Sequence, residues 1–171
     1  SSAASDGYKR QMLMDDPEKS GYRTPPQLGS GGGGLVSTVG DYLKFAQMLL
    51  NRGEYEGKRY LGKKTVKFMT ANHMGSVSAN EGLTRLSNML GNGYQVQGMG
   101  FGVTGSVVLD PALSGLPLSK GVYSWGGAAS THFWIDNKED LIGIVHTQLL
   151  PDGTYPVREL MQLATYQAII D

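Results

Sequence analysis

Tyr123-Ser124-Trp125-Gly126-Gly127-Ala128-Ala129-Ser130-Thr131 decides how this chain is read, and it runs on into His132-Phe133-Trp134-Ile135-Asp136. Aromatic and β-branched residues on both sides predict two strands, about 121–125 and 128–136, interrupted at the paired glycines. Glycine inside a strand pattern marks a bulge or a close approach to the backbone. One group that needs such an approach is a substrate carbonyl, whose developing negative charge a backbone N–H can hold. The packing alternative is a buried Trp125 beside a bulge, which requires no ligand. Along the second strand Ala129, Thr131, Phe133 and Ile135 share one face, and Ala128, Ser130, His132 and Trp134 the other.

Working outward, Asn137-Lys138-Glu139-Asp140 reads as a polar turn into a strand over about 141–148. Upstream, another strand is expected over about 99–109. Thr154-Tyr155-Pro156 opens a closing helix, with proline where a first-turn N–H is not needed. Val157, Leu160, Met161, Ala164 and Ala168 form its apolar stripe. Nearer the start, Ser37-Thr38-Val39-Gly40-Asp41 reads as a helix start, a hydroxyl cap with an acid three residues after Thr38. Leu43, Phe45, Ala46, Met48, Leu49 and Leu50 follow in a stripe wide enough for heavy burial, and Asn51-Arg52-Gly53 stops it. A turn through Tyr55-Glu56-Gly57-Lys58 leads to a second helix near 63–71. Residues 72–98 read as a long loop of the kind that forms functional rims. Helices, then an antiparallel meander, then a closing helix make the fold class α+β. Residues 1–34 read as an irregular segment and 35–171 as the folded portion.

Composition narrows the function. Fifteen basic and fifteen acidic side chains give zero formal charge, with no basic stripe, which argues against nucleic acid as a partner. The chain has no cysteine, so disulfides, thiolate metal sites and cysteine nucleophiles are excluded together. No apolar run approaches the roughly 20 residues of a membrane-spanning helix. Ser1 to Gly7 lacks the basic start and apolar core of a signal peptide, and reads as the cut end of something longer. None of this fixes the compartment, cytoplasmic or periplasmic.

Several segments together resemble one family. They are Gly31-Gly32-Gly33-Gly34-Leu35-Val36-Ser37-Thr38-Val39-Gly40-Asp41-Tyr42, Met48-Leu49-Leu50-Asn51, Gly98-Met99-Gly100-Phe101-Gly102, Trp125-Gly126-Gly127 with Phe133-Trp134-Ile135-Asp136, and Thr147-Gln148. In this order they resemble the carboxy-terminal half of the serine β-lactamase and penicillin-binding protein superfamily. The resemblance is nearest to the class C-like (family VIII) carboxylesterases, where Trp-Gly-Gly stands in place of a Lys-Thr-Gly box. It implies an antiparallel sheet flanked by helices, incomplete for want of its amino-terminal part. It also implies acyl transfer to a serine without any cofactor or metal. In that family Ser-x-x-Lys supplies nucleophile and base, and a Tyr-x-Asn-like motif assists proton transfer. Neither is here. None of the nine lysines has a serine three residues before it, and no tyrosine has an asparagine two residues after it.

By the same resemblance Trp125, Gly126 and Gly127 line the substrate pocket, and the Ala128 N–H is the second oxyanion donor. Losing one such donor costs roughly 3–4 kcal/mol of transition-state stabilisation. Trp125 in place of the box lysine removes a cation for a substrate carboxylate and favours neutral esters over β-lactams. The chain is therefore expected to be a fragment of a serine hydrolase acting on a small ester or amide, inactive alone. Its expected partner is an amino-terminal half or a separate chain. Rival readings are a non-catalytic ligand-binding module on the same sheet, and one chain of a split two-chain hydrolase.

Other candidates carry less. Gly31 to Gly34 lacks the Gly-Lys-Ser/Thr ending of a phosphate loop and reads as an approach to a helix. Ser78-Ala79-Asn80 imitates a Ser-x-Asn box in the wrong place. His73, His132 and His146 lack the carboxylate spacing of a zinc site, and His132 and His146 read as packed or rim histidines. Tyr42, Tyr94 and Tyr155 are candidates for a pocket mouth.

Overall fold

The computed structural model describes residues 12–75 and 97–170. The chain divides into two compact units, Ser1–Ser37 and Thr38–Asp171. In the first, the described residues form a single 3-10 turn, Gly21–Arg23, capped by the Ser20 hydroxyl.

The second unit opens with helix α1, Val39–Leu50. Thr38 caps it as its sequence predicts: the hydroxyl accepts the Asp41 N–H and donates to the Asp41 carboxylate, both at 3.1 Å. Thr38→Ala is expected to cost about 1 kcal/mol, read as a lower urea midpoint with unchanged slope. An unchanged midpoint would mean that water replaces the cap without loss. Ala46, Met48, Leu49 and Leu50 are buried, whereas Leu43 and Phe45 stay exposed, so the predicted stripe is wider than the buried face.

Strands β1 (Glu54–Tyr55) and β2 (Lys58–Arg59) form a hairpin. Both its central residues, Glu56 and Gly57, have positive φ, the turn whose twist matches paired strands. Helix α2 spans Lys63–Met69. The expected loop over 72–98 lies mostly outside the described residues, as does Ser78-Ala79-Asn80.

The chain then builds a five-stranded antiparallel sheet in the order β3-β4-β5-β6-β7. The strand expected over 99–109 is two strands, β3 (Met99–Phe101) and β4 (Ser106–Val108), folded on each other. Gly102 and Gly105 close that turn, the Gly102 N–H donating to the Gly105 carbonyl at 2.7 Å. A short helix α3, Pro111–Ser114, capped by Asp110, leads to β5, Tyr123–Gly127. Strand β6 is Thr131–Asp136 and β7 is Leu141–Val145, shorter than expected. The polar turn 137–140 joins them, its start held by Asp136, which accepts the N–H groups of Lys138 and Glu139.

Alternation along β6 sends its side chains to two cores. Phe133 and Ile135 join Val107 and Tyr123 against Ala46, Leu49 and Leu50 of α1. Trp134 faces the other way, with Val108, Leu118 and Val122, and Tyr166 packs on that side. Tyr166 belongs to the closing helix α4, Val157–Gln167. The sheet is therefore flanked by helices on both faces. Among the described residues no helix is long and apolar enough to cross a membrane.

The closing helix departs most from its pattern. Leu160, Met161 and Leu163 are exposed, and Gln162 is the buried residue of the helix. The reason lies on β6, which offers His132 and Asp136 to this face. Gln162 meets the His132 ring at 3.2 Å, and the Tyr166 hydroxyl donates to Asp136 at 2.6 Å. A polar strand face selects a polar helix face, because buried polar groups must find partners. Burial raises the Asp136 carboxyl, but bonds from Tyr166, Ser119 and two backbone N–H groups outweigh it and hold it below the usual range. Burial, then the bond to Asp136, raises the Tyr166 phenol.

Candidate active site

Both glycines of the box lie inside β5, correcting the expectation of a break. Gly126 pairs with His132 and Gly127 with Thr131. The interruption falls one step later, in the three-residue loop 128–130, whose last member Ser130 takes a positive φ of 58°. The predicted strand 128–136 thus begins at Thr131, and Ala128 sits exposed at the first loop position. That loop is tied down. The Ala129 carbonyl accepts the Thr147 hydroxyl at 2.5 Å and the Leu149 N–H at 3.3 Å, and the Ser130 hydroxyl donates to the Leu149 carbonyl at 3.0 Å.

Gly126 owes its missing side chain to the protein itself. A Cβ there would lie 2.4 Å from Arg158 Nη2 and 2.5 Å from its Cζ. The guest expected at this glycine was a substrate; the group against it is a guanidinium from α4. At Gly127 the nearest atom is the Thr131 hydroxyl, which can turn aside, so the constraint is weaker.

Trp125, Gly126 and Gly127 line an open cleft of about 180 Å³ together with Tyr42, Thr131, His132, Phe133 and His146. Trp125 stands edge-on to Phe101, with ring centroids 4.9 Å apart. Tyr42 contacts Phe133 at 5.1 Å and His146 at 6.0 Å. The wall is aromatic, suited to an apolar acyl group or ester. Its volume falls below the roughly 300–1,000 Å³ of a complete small-molecule site. A larger hollow of about 340 Å³ lies beside the β1–β2 turn, lined by Arg52, Glu54, Arg59 and Lys63. It is wide open, shares no lining residue with the glycine-box cleft, and its Arg59 is engaged by Glu54 at 2.7 Å.

Among the described residues, several groups that could do proton chemistry are engaged by neighbours or shifted from their usual range. Burial first, then the nearby Arg158 charge, pushes the His132 imidazole down to about 3, so it is neutral near pH 7. His146 lies against Tyr42 instead, and His73 bonds the Phe68 carbonyl at 2.8 Å. Burial raises the phenols of Tyr42 and Tyr123, away from a ready phenolate base. Ser106 and Ser124 meet at 2.8 Å on the face toward α4, and Ser130 is committed to Leu149. Among the described residues no three His, Cys, Asp or Glu side chains gather as a metal site.

Of the pocket-mouth tyrosines, Tyr42 lines the cleft, Tyr155 lies beside Asp152 and Pro156, and Tyr94 is outside the described residues. Sequence reasoning missed Arg158 and Asp152, which pair at 2.6 Å beneath the box. The signal was faint: a cation in the first turn of a helix, where the helix dipole disfavours it.

Comparison with known proteins places this geometry. Residues 2–167 match the family described as Beta-lactamase. Two Mycobacterium tuberculosis proteins, "Protein Rv1367c" of strain H37Rv and "Uncharacterized protein MT1414" of strain CDC 1551, are each 38% identical over 146 residues. That alignment takes in 84% of this chain and 34% of theirs, so the chain spans about a third of their length. Among solved structures, EstCE1, "a hydrolase with promiscuous acyltransferase activity", superposes with a TM-score of 0.56 at 24% identity. The match covers 75% of this chain and 29% of that one. The LovD9 mutant of simvastatin synthase from Aspergillus terreus gives 0.59 at 26% identity, over 77% of this chain and 35% of that one. The fold is β-lactamase-like, and the chain belongs to the Beta-lactamase family.

Proposed function

We propose that this chain forms one wall of the active site of a serine acyl hydrolase that works through an acyl-enzyme on small neutral esters or amides. Trp125, Gly126 and Gly127 line the pocket, and the Ala128 N–H is the second oxyanion donor. Serine, lysine and tyrosine come from a partner segment. What supports this reading is the tethered loop that carries Ala128 directly after Gly127, a lining residue of the aromatic half-cleft, in a chain of this family.

Two surfaces support a partner segment. Strand β7 is the last strand of its sheet among the described residues, so one edge offers its backbone groups. Helix α4 turns Leu160, Met161 and Leu163 outward as an apolar stripe exposed among the described residues. The acyl-transfer chemistry proposed draws on the Beta-lactamase family match and on the likeness to the LovD9 simvastatin synthase mutant at 26% identity.

Incubating the chain with a fluorophosphonate, and separately with a penicillin, is expected to leave its intact mass unchanged. Adding a serine-bearing amino-terminal portion is expected to give one phosphonate adduct, on that portion. An adduct on this chain alone would overturn the division of labour. No adduct under any pairing would favour the non-catalytic binding module.

A further inference from the structure

The Arg158 guanidinium does more than fill the space over Gly126. Its Nη2 also donates to the Gly127 carbonyl at 3.3 Å and pairs with Asp152 at 2.6 Å. The two charged side chains are only 12% and 15% exposed, so solvent screens the pair weakly. Asp152 offsets the unfavourable placement of a cation at a helix N-terminus. The Gly127 carbonyl and the Ala128 N–H are two ends of one peptide. The cis bond among the described residues is Leu150–Pro151, so the Gly127–Ala128 peptide is trans. In a planar trans peptide the C=O and N–H point in opposite directions. Fixing the carbonyl toward α4 therefore directs the N–H away from it. The aromatic side chains of the cleft, Tyr42, Trp125 and Phe133, pack on the α1 side of the sheet, across from α4, since Phe133 and His132 alternate between the two faces. A bond from a cation also polarises the peptide and strengthens its N–H as a donor.

We propose that Arg158, braced by Asp152, is the positioning residue for the oxyanion donor, holding the Gly127–Ala128 peptide so that the Ala128 N–H faces the substrate side. This rests on the acyl-hydrolase reading above. It gives the second glycine-box position a reason unrelated to the substrate: Gly126 admits the arginine that aims the next peptide.

The test begins on the isotopically labelled chain, where no activity is needed. Arg158→Gln is expected to move the Gly127 carbonyl carbon and the Ala128 amide nitrogen resonances, with core amides such as Ile135 in place. Arg158→Lys is expected to retain most of the original positions. A folded R158Q chain in which neither resonance moves overturns the proposal. If R158Q does not fold, the unsubstituted chain decides: a scalar coupling across the bond from the Arg158 guanidinium nitrogen to the Gly127 carbonyl carbon supports the proposal, and its absence overturns it. In the serine-bearing assembly, R158Q is expected to lower kcat for a p-nitrophenyl ester about tenfold or more with KM little changed, since the donor acts in the transition state. R158K is expected to recover part of the loss. Moved resonances with unchanged kcat overturn the catalytic role. No acyl-enzyme in any pairing removes the reading beneath it, and is told apart because the resonance shifts remain.

Discussion

Acidification from pH 7 to pH 4 is expected to strip this chain of about 3 kcal/mol of stability through His132 alone. Its imidazole is buried between β6 and α4, 9% exposed, with Gln162 on one nitrogen. Burial, then the Arg158 charge, pushes it down to about 3 from an ordinary 6.5, against a weaker upward pull from the Trp125 backbone. In the unfolded chain the same histidine takes up a proton near 6.5. Between 6.5 and 3 the unfolded state thus binds a proton that the folded state refuses, so stability falls as pH falls. The contribution is fully present above 6.5 and shrinks by about 1.4 kcal/mol per pH unit across that window. Asp136, held below its ordinary value, works in the same direction at lower pH, near and below 3.8. Urea melts of the chain and of His132→Gln between pH 4 and pH 7 check this. The variant should show a much flatter profile; parallel profiles would place the acid sensitivity elsewhere.

Gly143→Ala is expected to cost about 3 kcal/mol, and Gly143→Val more. Gly143 sits opposite Trp134 in the β6–β7 ladder. A Cβ at 143 would lie 2.1 Å from the indole Cζ2, with two further ring atoms within 2.3 Å. The indole is 1% exposed and enclosed by the core of Val108, Leu118 and Val122, so it has nowhere to go. The strand contains a glycine because its neighbour's ring lies across it. A double-mutant cycle with Trp134→Phe tests the cause: a smaller ring should make Gly143→Ala markedly cheaper. If the cost of Gly143→Ala is the same in both backgrounds, the clash is not with the indole.

Local signals were legible wherever a short run of sequence settles its own geometry. The Thr38 cap, the Glu56-Gly57 turn and the polar turn at 137–140 all form where their residues predict, because each satisfies backbone groups within a few positions of itself. The 99–109 run shows the limit. Its apolar pattern reads as one strand, but Gly102 and Gly105 fold it into two, and pattern alone does not say which glycines bend. Helix α4 shows a sharper limit. Its apolar residues do line up at helical spacing, yet they face outward, because the choice of face is made by what β6 presents.

The candidate site divides along the same line. The sequence by itself determined the family resemblance, the α+β order, the absence of Ser-x-x-Lys, and the choice of Trp125, Gly126, Gly127 and Ala128 as candidates. Only the tertiary structure decided that both glycines belong to the ladder, that Ala128 sits on a tethered loop, and that Arg158 occupies the space over Gly126. The reason is sequence separation. Caps and turns are contacts between near neighbours, whose partners can be read off a short segment. The bond from Arg158 to Gly127 joins residues 31 positions apart, and it exists only once the closing helix has docked on the sheet.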